Sequence, residues 1–455
     1  MIIRSTNPYT GKAIKEYECP TAKQVKEKIQ NADVAFLSWK NTSLKHRSKC
    51  MQKVATLLLK NKKELALLMA EEMGKPIVAG MAEIEKCAKV CTYYAKNASS
   101  FLKNKSIKTE AQKSYVTYQP LGVILAVMPW NFPFWQVMRF AAPTLMAGNT
   151  AILKHASNVP ACALTIEAIF TEAGFPDGVF TTLLISSKKV KNVIAHKAVK
   201  AVSLTGSGPA GSAVAALAGK HLKKSLLELG GNDAYLVLED ADLKLAAQKS
   251  IASRMINTGQ SCIGAKRIIV VASVYERFLK LVKSELKKYK LGDPRKKETH
   301  LGPMARFDLR DEVHQQVTES IAKGAKLEIG GKIPKRKGAF YPATLLSQVR
   351  KGIPAYDDEI FGPVACIIKV ANTEEAIQVA NDSIFGLGAA VFSKDIKQAE
   401  RIANHALEVG AVAINDFVRS DPRLPFGGVK QSGFGRELSK EGILEFVNVK
   451  SVCLV

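Results

Sequence analysis

The sequence predicts an α/β protein built on two doubly wound, Rossmann-like units, and three observations predict it. Strand-like and helix-like stretches alternate from Gly122 to Ala218. The alternation restarts after Glu228-Leu229-Gly230-Gly231, which implies a second unit beginning near Gly230. A chain of 455 residues, 47% hydrophobic and 24% charged, is also long enough for two or three domains with a large core.

Taken in order, Thr21 is placed as an N-cap before a helix with Val25, Ile29, Ala32, Ala35 and Phe36 on its apolar face. A second helical stretch runs from Leu44 to Met73 and stops at Gly74, and a third covers Glu83 to Tyr94. Val116-Thr117-Tyr118 alternates like a strand, and Gly122 to Met128 is a buried one. Strands follow at Ala151–Leu153, Val179–Ile185 and Ala201–Leu204, with helices at Ala161–Ala173, Val190–Ala195 and after Gly206 to Ala218. The second unit opens with a strand at Ala234–Leu238 and a helix capped near Asp240. A strand at Arg267–Val271 and a helix at Tyr275–Tyr289 come next. Strand-like Val447 to Val452 near the end either frays or pairs with another element, in this chain or in a partner subunit.

Several function classes fall away on composition. Ser114 to Met138 carries no charge, but Pro120, Gly122, Pro129, Asn131 and Pro133 interrupt it. A buried strand and loop are expected there, not a membrane span. Met1 to Lys12 has no apolar core of a secretory signal. The eight cysteines have irregular spacing, and Cys87 and Cys91 have no matching second pair. Reduced thiols in a cytoplasmic protein without a metal site are therefore expected. The net charge of +25 is scattered, with no basic tail or nucleic-acid motif, so it is read as a solvated surface.

Three local features carry chemistry. Gly206-Ser207-Gly208-Pro209-Ala210-Gly211, between a strand and a helix, lets backbone approach a phosphate at a helix N-terminus, though such a turn is as often structural. Thr258-Gly259-Gln260-Ser261-Cys262 sets a cysteine in a polar loop, where a nucleophile competes with the commoner buried hydrophobe. Glu228 places a carboxylate at a strand end beside two glycines.

The constellation is more specific than its parts. Pro129-Trp130-Asn131-Phe132-Pro133, Gly206-Ser207, Glu228-Leu229-Gly230-Gly231, Gly259-Gln260-Ser261-Cys262, Glu359-Ile360-Phe361-Gly362-Pro363 and Pro425-Phe426-Gly427-Gly428 occur in this order. In order and spacing they resemble the aldehyde dehydrogenase superfamily from end to end. Met128 to Arg139, Leu153-Lys154-His155-Ala156 and Gly302 to Arg310 are similar to its shorter bacterial succinate-semialdehyde dehydrogenases.

That resemblance implies roles. Cys262 would attack an aldehyde as thiolate, and the Asn131 amide and the Cys262 backbone N–H would hold the oxyanion. One such donor is typically worth ~3 kcal/mol in the transition state. Glu228 would activate water against the resulting thioester. A nicotinamide dinucleotide would lie along Pro129, Trp130, Lys154, Ser157, Gly206, Ser207, Gly211, Glu359 and Phe361, with Lys154 and Glu359 on its riboses. Many NAD-using relatives carry a glutamate at the position of Ser157. The small hydroxyl here leaves room for a 2′-phosphate beside Lys154, so NADP is expected in preference to NAD.

For the substrate, Arg139 stands eight residues past Asn131, where relatives place a guanidinium for a distal carboxylate. Trp135, Ser261 and Ser420 would complete the pocket. The longer branch has a second arginine where this chain has Ile256, so Arg254 or Arg419 is a candidate substitute. Succinic semialdehyde, glutarate semialdehyde and simple aliphatic or aromatic aldehydes all remain open, as does a non-catalytic basic protein on this fold. Ile263-Gly264 after the nucleophile removes the neighbouring cysteine that serves some relatives as a redox partner.

The implied architecture is a dinucleotide-binding domain (1–102 and 121–229), a catalytic domain (230–432) and a small β oligomerisation flap (103–120 and 433–455). A homodimer or a dimer of dimers would result. Neither nucleic acid nor membrane is expected as a partner.

Overall fold

Four helices precede the two large sheets. In this computed structural model, which describes residues 2–455, the hairpin β1 (Ile2–Thr6) and β2 (Ala13–Glu18) leads into α1 (Ala22–Trp39), α2 (Leu44–Lys60), α3 (Lys62–Met73) and α4 (Ile77–Phe101). Thr21 does cap α1. Its hydroxyl accepts from Gln24 N, and the Gln24 side chain accepts from Thr21 N, a reciprocal capping box. The buried stripe is Val25, Ile29, Ala32, Ala35 and Trp39, with Phe36 only half-buried. The stretch expected as one helix from Leu44 divides at Asn61, whose φ of −96° and ψ of 13° end α2. Gly74, at φ +75°, closes α3 as foreseen.

Next come β3 (Lys105–Ile107), β4 (Lys113–Pro120), β5 (Val123–Met128), α5 (Trp135–Met146), β6 (Thr150–His155), α6 (Pro160–Glu172), β7 (Phe180–Thr182), α7 (Val190–Ala195), β8 (Val199–Thr205), α8 (Gly208–Lys220) and β9 (Lys224–Glu228). The loop expected after β5 is short, because α5 begins at Trp135. The Glu83 carboxylate accepts from both Phe134 N and Trp135 N at 2.9 Å and satisfies donors that a helix start leaves free. Only Phe180–Thr182 of the Val179–Ile185 stretch pairs as a strand.

The second run is β10 (Ala234–Val237), α9 (Leu243–Met255), β11 (Arg267–Val271), α10 (Tyr275–Leu286), α11 (Phe307–Ala322), β12 (Lys326–Ile329), β13 (Thr344–Ser347), α12 (Pro354–Asp357), β14 (Val364–Val370), α13 (Thr373–Asn381), β15 (Phe385–Gly386), β16 (Gly388–Phe392), α14 (Ile396–Arg401) and β17 (Ala411–Ile414). Short β18 (Val429–Lys430), β19 (Gly433–Phe434), α15 (Ser439–Leu444) and β20 (Val447–Leu454) finish the chain. The cap of α9 is Asp242, not Asp240. Asp240 instead accepts from Ser393 Oγ, Lys394 N and Asp395 N, which ties the end of β10 to the loop after β16.

Two large sheets result. The first has the order β19-β9-β8-β5-β6-β7, parallel except for β19, and the second β12-β13-β14-β11-β10-β16-β17, parallel except for β12. The parallel strands of the first are buried on both faces, as helices on either side require. In each sheet the order reverses about the first strand of its run, β5 or β10, which opens a crevice. A third, three-stranded sheet, β20-β4-β3, receives the tail: β20 pairs antiparallel with β4 from Val447↔Pro120 to Leu454↔Lys113. Its outer edge remains exposed, with Val449 and Leu454 in solvent. β19 belongs with the first sheet through β9, so only the last strand of the 433–455 segment joins this small sheet. Among the described residues, no helix is long and apolar enough to cross a membrane.

Candidate active site

The loop from α9 to β11 is strained. Asn257 (φ 53°), Thr258 (φ 55°) and Gly259 (φ 74°) are successive left-handed residues, and non-glycine residues enter that region only at a cost. Side-chain bonds hold them there. Asn257 Nδ2 donates to Asn131 O at 2.7 Å, Gly302 N donates to Thr258 Oγ1 at 3.1 Å, and Ala305 N donates to Gln260 Oε1 at 2.9 Å. At Gly259 a Cβ would lie 2.2 Å from the Gly362 carbonyl carbon, so only glycine lets this loop pack on the Glu359–Pro363 turn. Cys262 emerges from the loop half-buried, with Ser261 buried beside it.

Asn131 faces this loop from the end of β5. Its carbonyl accepts from Asn257 and, at 2.8 Å, from Lys75 Nζ. Lys75 is fully buried against Glu83, the same carboxylate that starts α5. Asn131 Nδ2 donates to Gln260 O at 3.2 Å, and its Oδ1 has no partner. Among the described residues, no protein acceptor takes the Cys262 backbone N–H. His155, at the end of β6, accepts from Ala156 N on Nδ1, so its Nε2 donates to Pro133 O at 2.9 Å. Burial pushes that imidazole down to about 4, and as a neutral strut it ties β6 to the Asn131 loop.

The ionisable groups around the thiol form two chains. In the first, Lys266 Nζ donates to Cys262 O at 2.6 Å and pairs with Glu359 at 2.8 Å, and Glu359 also accepts from Gly231 N. In the second, Arg139 lies 4.0 Å from Glu228, is ion-paired through Nε with Glu437, and donates to Thr205 Oγ1 at 3.3 Å. Burial raises Glu228 well above the ordinary carboxylate range, with Arg139 opposing the shift, and burial raises Glu437 as well. Glu228 Oε1 has no hydrogen-bond partner, which leaves it free to accept a proton. The Cys262 thiol is pushed up to about 11 by burial, against Lys266 and Arg139. It sits beyond the C-terminal end of α9, where a helix gives a thiolate no help.

Cys262 opens on a cavity of about 470 Å³. Trp135, Arg139, Ser261 and Ser420, all expected in the pocket, line it, and so does Ile256. Of the two candidate substitutes for the missing arginine, Arg254 is excluded. It is fully buried and donates to Val364 O, Ile360 O and Gly362 O, bracing the Glu359 turn. Arg419 reaches the cavity but is half-exposed and bound to Asp416.

A second cavity, of about 580 Å³, is lined by Lys154, Ser157, Asn158, Ser186 and Ser187. No carboxylate pairs with Lys154 among the described residues, and burial lowers its pKa. Both side-chain polar atoms of Asn158 and the Ser186 hydroxyl are buried without partners. Unspent donors and acceptors beside a lone ammonium suit a sugar–phosphate ligand. The turn before α8 has glycines in G-x-G-x-x-G spacing. Gly206 N donates to Glu228 O, while Gly211 N bonds Ser207 O, and a Cβ at Gly211 would lie 2.6 Å from Leu229. Gly211 thus acts by letting α8 approach β9, and Gly206-Ser207 form the open part of the turn. Pro129 and Trp130 lead from β5 into the Asn131 loop, and the Trp130 ring meets Phe361 edge-on at 5.8 Å.

Five contributors escaped the sequence reading: Lys75, Glu83, Lys86, Lys266 and Glu437. All are charged residues that the fold carries into the site, buried except for the half-buried Lys86, and only Glu437, beside the glycines at 433 and 435, had a local signal.

The chain belongs to the aldehyde dehydrogenase family, whose model matches residues 1–452. It is 48% identical over 452 residues, 99% of each chain, to a probable succinate-semialdehyde dehydrogenase [NADP(+)] of Synechocystis. It is 44% identical to the succinate semialdehyde dehydrogenase [NAD(P)+] of Escherichia coli, covering 98% of this chain and 97% of that one. The crystal structure of succinic semialdehyde dehydrogenase from Streptococcus pyogenes with NADP+ superposes with a TM-score of 0.97 at 39% identity, covering 99% of each chain.

Proposed function

We propose that the protein oxidises succinic semialdehyde, or a closely similar carboxylated aldehyde, to the carboxylate with NADP as the preferred acceptor. The observation that carries this is the Cys262 cavity: a nucleophile at its base, apolar walls, and Lys86, Arg139 and Arg419 as its positive side chains. Its one carboxylate, Glu83, is already paired with Lys75. Such a lining suits an aldehyde with a negative tail.

The residues divide the work. Cys262 loses its proton to solvent, and as thiolate it bonds to the aldehyde carbon. Asn131 Nδ2 and the free Cys262 N–H hold the oxygen as it becomes an oxyanion. Bound nicotinamide supplies the hydride acceptor. Lys154, Ser157, Asn158 and Ser186 would hold its adenosine side, with Ser157 leaving room for a 2′-phosphate. Gly206-Ser207 would face the pyrophosphate at the start of α8, and Glu359, Pro129, Trp130 and Phe361 the nicotinamide side. The acyl group left on Cys262 is released by water that the Glu228 carboxylate deprotonates, with Arg139 favouring that ionised carboxylate before it takes the proton.

We place the domain divisions at 102/103, 120/121, 229/230 and 432/433, with 433–446 returning to the unit of the first sheet and only β20 completing the small sheet, and assign the exposed β20 edge to a homodimer or dimer of dimers. The test of function is the near-ultraviolet absorbance of reduced nicotinamide with succinic semialdehyde and NADP or NAD, beside Cys262→Ala. Rapid reduction of NADP, lost in the variant, is expected. Turnover with NAD alone would overturn the cofactor assignment, and a folded, cofactor-binding but silent protein would overturn the substrate.

A further inference from the structure

The cavity holds a cation that the mechanism above leaves unused. Lys86, on α4, points into it. Its Nζ donates to Ser420 Oγ at 2.6 Å and lies 4.0 Å from the centroid of the Trp135 ring. The other positive groups nearby are already engaged. Arg139 is shared between Glu437 and Glu228, Arg254 is consumed by three backbone carbonyls, and Arg419 is bound to Asp416. Glu83, on the same helix as Lys86, is committed to Lys75 and to the start of α5. Among the described residues, Lys86 pairs with no carboxylate.

An ammonium in such a place is costly unless an anion joins it. Burial, and then the neighbouring charge of Arg139, push Lys86 down to about 8. The three groups around it match one end of a carboxylated aldehyde. The ammonium and the Ser420 hydroxyl offer donors to two carboxylate oxygens, and the Trp135 face covers the methylenes between that end and the carbonyl at Cys262.

We propose that Lys86, with Ser420, is the group that binds the distal carboxylate of the substrate, and that Arg139 is held back to control the charge on Glu228 and Glu437. This rests on the carboxylated-aldehyde reading above and moves its specificity from α5 to α4. Lys86→Met keeps the length and apolar stem while removing the charge.

The experiment compares kcat and KM for succinic semialdehyde and for butanal, which has the same chain length without the carboxylate, in wild type, Lys86→Met and Lys86→Arg. Expected for Lys86→Met is a rise of about 10- to 100-fold in KM for succinic semialdehyde, the range for losing a charge-assisted hydrogen bond. Butanal kinetics should stay within about threefold, and Lys86→Arg should restore most of the loss. If wild type prefers succinic semialdehyde but Lys86→Met slows both substrates alike, Lys86 only shapes the pocket and the proposal falls while the substrate reading stands. If wild type itself shows no preference for succinic semialdehyde over butanal, the substrate reading falls and takes the role of Lys86 with it.

Discussion

The two large sheets meet at the active site with opposite ends. In the first, the candidate site residues follow the strands: Pro129 to Asn131 after β5, Ser157 after β6, Gly206-Ser207 after β8, and Lys154 and Glu228 within the last residues of β6 and β9. In the second they precede the strands: Gly230-Gly231 before β10, Cys262 and Lys266 before β11, and Glu359 before β14. The chain crosses from one to the other directly, from Glu228 through two glycines into β10, so the site lies in the seam. The first sheet offers helix starts after its strands, which suit anions. The second offers loop ends without them, so Cys262 is placed by left-handed strain and side-chain braces. An ordinary dinucleotide crevice is thereby combined with a cysteine whose reactivity must come from neighbours.

The sharpest way to break this division is to remove the proposed base of the first sheet, Glu228, and leave the proposed nucleophile of the second, Cys262, intact. Glu228→Gln should give one rapid burst of reduced cofactor, equal to the enzyme present, and then lose steady turnover by about 10³-fold. A variant with neither burst nor turnover would mean that Glu228 is needed before the acyl group forms.

A smaller effect tests the first sheet alone. Ser157→Glu puts a carboxylate beside Lys154 and should lower kcat/KM for NADP by about 100-fold while leaving NAD within a few-fold. Equal losses with both cofactors would show that the second cavity does not receive the 2′-phosphate.

The mildest perturbation is pH. Only the thiolate alkylates, and burial holds Cys262 at about 11 in the cofactor-free protein. Its modification by iodoacetamide should therefore be slow at neutral pH and climb about tenfold per pH unit toward that value. Lys266→Met removes a cation that favours the thiolate, so the curve should move to higher pH. A plateau near neutrality would show that the loop activates the thiol before cofactor binds.

Most of the fold was legible, for local reasons. Thr21 with Gln24, Gly74 and the Val123–Met128 run announce a cap, a stop and a buried strand within a few residues of themselves. The errors lay where a distant group intervenes. The early start of α5 depends on Glu83, and Asp240 is occupied by the loop after β16, which leaves capping to Asp242. The site residues Asn131, Glu228 and Cys262 stood out because glycines and prolines mark the backbone around them.

The sequence by itself determined the α/β class, the repeated unit, the order of the site loops and the glycine at position 259, which no side chain can replace against Gly362. Only the tertiary structure decided which charges are spent. Lys86 meets Ser420 across 334 residues of chain, Glu437 claims Arg139 from the far end of the sequence, and Arg254 turns inward to carbonyls. A charged residue on a helix looks the same in sequence whether it meets water, a carboxylate or nothing. What separates the cases is desolvation, and that is set by the surfaces folding brings against it.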